Sequence, residues 1–255
     1  MGNTRSKSKL LERIIPGKTH PKKAILVGLN YTGTKYALRG CINDAKRMRQ
    51  SLIKFFGHTD VTIYTDQQLK KVTIIDLLTK LVGSGSHNLY FQYSGHGTQT
   101  PDYNGDESDG LDEALFSVNN RLVTDDQINA IIKSVKEGVQ LVLVIDACHS
   151  GTITDLPYKL INDRAVRVGS NKIDGDIICI SGCRDNQVSM DINSGLTSYG
   201  AMSNALQKVL QKTKGNICWK QLINLMQVEL KNDGMAQIPE LTVSRPELIY
   251  SLVSF

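Results

Sequence analysis

Leu141-Val142-Leu143-Val144-Ile145-Asp146-Ala147-Cys148-His149-Ser150-Gly151 passes from five consecutive aliphatic residues into a short polar tail. The length and β-branched content of the apolar run suit a strand buried on both faces, the kind found in parallel sheets sandwiched between helices. A second stretch has the same design: Leu89-Tyr90-Phe91-Gln92 leads into Tyr93-Ser94-Gly95-His96-Gly97. His96 and Cys148 are thus expected at the ends of two parallel strands, where open α/β sheets gather ligands and catalytic groups. A thiol needs a nearby base to attack as thiolate at neutral pH, so the pair reads as nucleophile and base. Cysteine more often simply fills a core, but Cys148 lies past the apolar run and is followed by polar, flexible residues. His149 competes as the base. Adjacent strand residues point to opposite faces, which turns His149 away from Cys148 and favours His96.

Outward from these two strands the chain alternates. Residues 1–22 read as a mobile polar leader, and Ala24-Ile25-Leu26-Val27-Gly28-Leu29 as a first buried strand. Ala45, Met48, Leu52 and Phe55 recur at helical spacing, as do Ile128, Ile131, Ile132 and Val135. Further helices are expected around 72–81, 202–210 and 219–230, and a further strand at Ile177-Ile178-Cys179-Ile180. The segment 158–176 is polar, carries Lys159, Arg164, Arg167 and Lys172, and reads as a surface loop or linker. Strands alternating with helices imply an α/β fold with a mostly parallel central sheet covered on both faces.

Composition narrows the class. The chain has 255 residues, 40% of them hydrophobic, enough for one α/β domain spanning 23–255. No run of about 18 apolar residues suits a membrane span, and the N-terminal stretch lacks the apolar core of a secretory signal. Five cysteines without CxxC spacing argue against a disulfide framework or structural zinc, and a cytoplasmic setting is expected. The net charge of +5 is dispersed, so nucleic acid is not an expected partner. Met1-Gly2-Asn3-Thr4-Arg5-Ser6 fits the pattern for myristoylation at Gly2, which with nearby basic residues would give weak membrane association.

Several stretches together make the chain resemble the metacaspases, caspase-fold cysteine peptidases. They are Leu38-Arg39-Gly40-Cys41-Ile42-Asn43-Asp44-Ala45, Tyr93 to Gln99, Gly105 to Glu113, Asp146 to Thr152 with Asp155-Leu156-Pro157-Tyr158, Ser181 to Gln187, and Gly200-Ala201-Met202-Ser203. The resemblance spans about Lys23 onward. It implies a caspase-like fold with a large-subunit-like part over 23–158, a linker over 159–176 and a small-subunit-like part over 177–255. It is closest to the short-linker form without an extended prodomain, expected to act as a monomer on protein or peptide substrates.

The resemblance also implies a substrate pocket for Arg or Lys built from Cys41, Asp44, Ser94 and Asp146. Periodicity of two independently puts Asp146 on the side of Cys148 and Ser94 on the side of His96. Carboxylates there match a guanidinium by charge and shape. The glycines beside His96 allow close backbone approach, which makes the N–H groups of Gly97 and Cys148 the candidates for an oxyanion hole. Asp102, Asp106, Glu107, Asp109, Asp112 and Glu113 crowd carboxylates into a dozen residues, a composition that suits Ca²⁺. By resemblance to calcium-activated metacaspases, an activating ion would instead be held by Asp112, Asp125, Asp126 and Asp155. An enzyme of this preference would meet Lys159, Arg164, Arg167 and Lys172 in its own linker, so self-cleavage is expected there. The rival readings are a catalytically silent scaffold, a metal site using His96, Cys148 and His149, and an Asp-specific caspase, which would need a basic pocket.

Overall fold

In a computed structural model of the protein, residues 21–102, 110–148, 150–151, 153–182, 191–194 and 197–255 are described. Most of the leader with Gly2, the acidic residues Asp106, Glu107 and Asp109, His149, and the stretch after Gly182 that contains Cys183 lie outside them. The centre is an eight-stranded sheet. Its strands are β1 (Lys22–Gly28), β2 (Asp60–Tyr64), β3 (Asn88–Ser94), β7 (Gln140–Asp146), β8 (Tyr158–Ile161), β9 (Arg164–Arg167), β10 (Asp176–Ser181) and β13 (Glu240–Val243), in the spatial order β2-β1-β3-β7-β10-β13-β8-β9. The first five in that order pair in parallel, and β13, β8 and β9 join antiparallel.

Alternation along the strands divides the core into two. Leu26, Tyr90, Val142, Val144, Ile178 and Ile180 face a layer of three helices, α1 (Cys41–Phe56), α4 (Ala201–Thr213) and α5 (Trp219–Asn232). The intervening Ile25, Val27, Phe91, Leu143, Ile145 and Ile177 face α2 (Ile74–Val82) and α3 (Asp125–Ile132). Every helix read from periodicity is present within a few residues. Two of them start at reciprocal caps, Thr73 with Asp76 and Thr124 with Gln127.

Two readings need correction. The acidic stretch, which carries no strand or helix period in the sequence and reads as a loop, ends in a strand: Leu111–Phe116 forms β5, which pairs with β4 (Gly97–Pro101) and β6 (Leu122–Thr124) in a small antiparallel sheet, and β11 (Asp191–Ser194) pairs with β12 (Thr197–Gly200). The surface loop over 158–176 instead begins as a hairpin. Ile161 pairs with Arg164 across a two-residue turn, and Asn162 and Asp163 have φ of 48° and 65°. That turn type follows strand twist and favours Asn and Asp. Strand β8 then docks on β13 through Thr242 and Val243. The remainder, 168–175, has no regular structure, and Lys172 is exposed.

Candidate active site

The pairing of β3 with β7 sets the site. Ser94 lies opposite Asp146, and Gly95 N–H donates to the Asp146 carbonyl at 3.2 Å. Two residues further on, His96 and Cys148 leave the sheet at equivalent positions, both half-buried at the edge of solvent. Their backbones touch: a Cβ on Gly97 would sit 1.9 Å from the Cys148 carbonyl oxygen and 3.2 Å from the Ala147 Cβ. Only glycine allows the chain after His96 to lie against the main chain of Cys148. Ala147 itself packs into the α2/α3 core, facing away from the site.

His96 is held on several sides. Its Nε2 lies 2.8 Å from the carbonyl of Tyr36. A carbonyl can only accept, so the imidazole proton sits on Nε2 and Nδ1 is left as the basic atom. Its main chain is clamped by a pair of phenols. The His96 N–H donates to Tyr31 Oη at 3.0 Å, Tyr93 Oη donates to the His96 carbonyl at 2.7 Å, and the two phenol oxygens are 2.9 Å apart. The Phe116 carbonyl accepts from the same pair. Burial pushes both phenols well above the ordinary tyrosine range, so they remain neutral donors. A Cβ on Gly95 would strike Tyr93 Oη at 2.6 Å and Tyr31 Oη at 2.8 Å, so this glycine makes room for the clamp. Tyr31 and Tyr36 do not stand out in the sequence, and Tyr93 does so only as the first residue of the His96 stretch. Tyr31 is marked only in the structure, by φ of 47°.

The four residues expected to form the substrate pocket share the α1/α4 side of the sheet. Ser94 is buried and ends a polar ladder in which Gln92 Nε2 donates to Ser94 Oγ and Tyr90 Oη donates to Gln92 Oε1, each at 3.1 Å. Cys41 opens α1, and its carbonyl lies where a Cβ on Gly28 would be, 2.5 Å away. Asp44 Oδ2 accepts from Gly200 N–H and Asp146 Oδ2 from Ser203 N–H, both at 3.0 Å. A Cβ on Gly200 would meet Asp146 Oδ2 at 2.4 Å and Asp44 Oδ2 at 3.2 Å. Two buried carboxylates thus converge at the N-terminus of α4, whose unpaired amides and dipole favour negative charge. Gly200 and Ser203, which hold the carboxylates, belong to the Gly200–Ser203 motif, but their role emerges only from the packing.

The four aspartates expected to hold calcium are only partly assembled. Asp126 and Asp155 line one cavity of about 480 Å³ with Asn129, Lys133, Thr154 and Asn171. Asn129 Nδ2 donates to Asp155 Oδ2 at 3.1 Å, while its buried Oδ1 has no hydrogen-bond partner. Asp125 is committed elsewhere, accepting from Glu113 N–H at 2.9 Å and Asp126 N–H at 2.7 Å, and burial raises its pKa. Among the described residues no three acidic, His or Cys side chains are grouped closely enough to hold an ion. Of the basic linker residues, Lys159 pairs with Glu240 at 2.7 Å inside the sheet, and Arg164 and Arg167 lie on its edge strand.

Comparison with known proteins places this geometry. The family model described as metacaspase, peptidase C14 domain, matches residues 22–157. Metacaspase-1 of Arabidopsis thaliana is 35% identical over 250 residues, which cover 86% of this chain and 68% of the relative. Metacaspase-1 of Debaryomyces hansenii is 33% identical, with 89% and 65% covered, so the chain spans about two thirds of these relatives' length. Among solved structures, a Geobacter sulfurreducens protein matches with a TM-score of 0.67 at 23% identity, over 91% of this chain and 97% of the other. Caspase-1 of Spodoptera frugiperda matches with a TM-score of 0.58 at 13% identity, over 89% and 87%. The fold is that of the caspases.

Proposed function

Because the chain belongs to the metacaspase family of cysteine peptidases, we propose that it is a calcium-stimulated endopeptidase cleaving after Arg or Lys through Cys148 and His96. The observation that carries this reading is the β3–β7 register, which sets the two residues at matching positions beyond Ser94 and Asp146. Cys148 Sγ attacks the carbonyl carbon of the scissile bond, and its proton passes to His96 Nδ1. The same imidazolium then protonates the leaving amine, giving a thioester that water hydrolyses with His96 as base. Tyr36, through its carbonyl, keeps the ring in the required tautomer and stabilises the imidazolium. The N–H groups of Gly97 and Cys148 are the donors proposed for the oxyanion.

The basic side chain before the scissile bond would enter between Asp44 and Asp146, beside Ser94 and Cys41. Two carboxylates pay for the desolvation of one cation, and a basic pocket for Asp substrates is not what these residues offer.

Calcium would be held at the Asp126–Asp155 cavity, whose hard oxygen donors include the unbonded Asn129 Oδ1. By resemblance Asp112 and Asp125 would complete it, Asp125 through lone pairs not taken by the Glu113 and Asp126 N–H groups. When bound, the ion would supply positive charge among these carboxylates. Self-cleavage is proposed at Lys172 ahead of the other three, since a protease needs an exposed segment free of strand pairing. Localisation in the cytoplasm remains part of the same proposal.

Fluorogenic peptides ending in Arg, Lys or Asp, assayed with Ca²⁺ and with a chelator, test the reading. Cleavage after Arg and Lys is expected with Ca²⁺, is suppressed by chelation, and is absent in Cys148→Ala. Preferential cleavage after Asp, or full activity in chelator, would refute the specificity or the calcium requirement respectively.

A further inference from the structure

Gln237 is a buried amide with nothing to bond. It is 4% exposed, and neither its Oε1 nor its Nε2 has a hydrogen-bond partner. Leaving such groups unsatisfied is costly, and a native structure that tolerates it needs a reason. Its position suggests one. A Cβ on Gly182 would meet Asp146 Oδ1 at 2.8 Å and Gln237 Nε2 at 3.1 Å, so amide and carboxylate flank one point at the end of β10. Ser203, whose N–H holds the other oxygen of Asp146, also has a buried hydroxyl without a partner. Gln237 also lines a cleft of about 1230 Å³ between β8 and α5, together with Lys159, Asn224 and Lys231.

We propose that Gln237 is a specificity-determining residue of the basic pocket, its amide oxygen accepting an N–H of a bound guanidinium and thereby favouring Arg over Lys. The inference rests on the Arg/Lys reading above. Both amide atoms are unbonded in the free enzyme, so Oε1 is available to a ligand beside Asp146. An ammonium has three donors and a guanidinium five in a fixed plane. Asp44 and Asp146 each already accept a backbone N–H. The planar fork of a guanidinium can reach an acceptor that an ammonium does not, and a neutral amide supplies one without burying a third negative charge.

The test compares kcat/KM on two peptides that differ only in Arg or Lys before the scissile bond. Gln237→Leu should lose about tenfold or more on the Arg peptide, the usual cost of a hydrogen bond to a charged group, and less than about threefold on the Lys peptide. Its melting temperature should be no lower than wild type, because the amide is unpaired in the free enzyme; a merely structural glutamine would lower it. Gln237→Met, as flexible as the original, should behave the same and guards against a Leu variant that fails to fold. Gln237→Glu keeps the acceptor and should keep the Arg preference. Wild type that cleaves after Arg while both apolar variants retain its Arg/Lys ratio overturns the inference alone. Wild type that cleaves after neither Arg nor Lys overturns the pocket reading and this inference with it.

Discussion

At the scale of single residues, His96 depends on atoms that are not its own. Tyr31 Oη is shared by the His96 N–H, Tyr93 Oη and the Phe116 carbonyl. Tyr31→Phe keeps the ring against His96, 4.9 Å between centroids, but strands the His96 N–H. It should lower kcat about tenfold with KM little changed, and cost roughly 1–3 kcal/mol of stability, the penalty for an orphaned buried donor. Steady-state kinetics and a thermal melt check both. An unchanged kcat would show that the phenol only fills space. His96, Cys148, Ser94 and Asp146 were legible because strand periodicity and motif agree on them. Tyr31, Tyr36 and Tyr93 were not, because they act through a phenol oxygen or a carbonyl reached only when a loop, a strand end and the small sheet meet.

Among the elements, the β8–β9 hairpin departs furthest from the sequence reading. Its polarity suggested a loop, yet Tyr158-Lys159-Leu160-Ile161 and Arg164-Ala165-Val166-Arg167 flank an Asn162-Asp163 pair, a hairpin signal hidden by scattered charges. Asp163 also ties the turn to α5, with Asn224 Nδ2 at 2.9 Å and Lys220 Nζ at 3.3 Å. These partners hold its carboxyl below the ordinary value, Asn224 contributing most. The folded state therefore binds this proton less readily than the unfolded chain. Stability from Asp163 is full above the usual Asp value of about 3.9 and is lost as pH falls through the lowered folded value. Because the group is exposed, the effect should be small. Asp163→Asn keeps the turn geometry and should flatten the acid slope of the melting temperature, with faster amide exchange across 158–167 at neutral pH. An identical slope in the variant would remove Asp163 from the acid response.

On the scale of the whole molecule, the two cores follow directly from strand alternation. The order of the last strands does not, because nothing local tells β13 to enter between β10 and β8. That entry interleaves the chain: β10 and β13 are flanked by β7 on one side and β8 on the other. A cut after Lys172 would leave each product holding strands that the other pairs with. The cleaved enzyme should run as two bands in denaturing gels, keep its native size in gel filtration and remain active; separation of the products would show the pairing too weak to hold them. The same insertion governs how the protein is made. On the ribosome, Cys148 and the β8–β9 hairpin emerge long before residues 240–243 supply the strand on which the hairpin docks. Nascent chains arrested short of that point should cleave no peptide, and those extended past it should gain activity, so that the growing protease is harmless to the translation machinery until its last strand is in place.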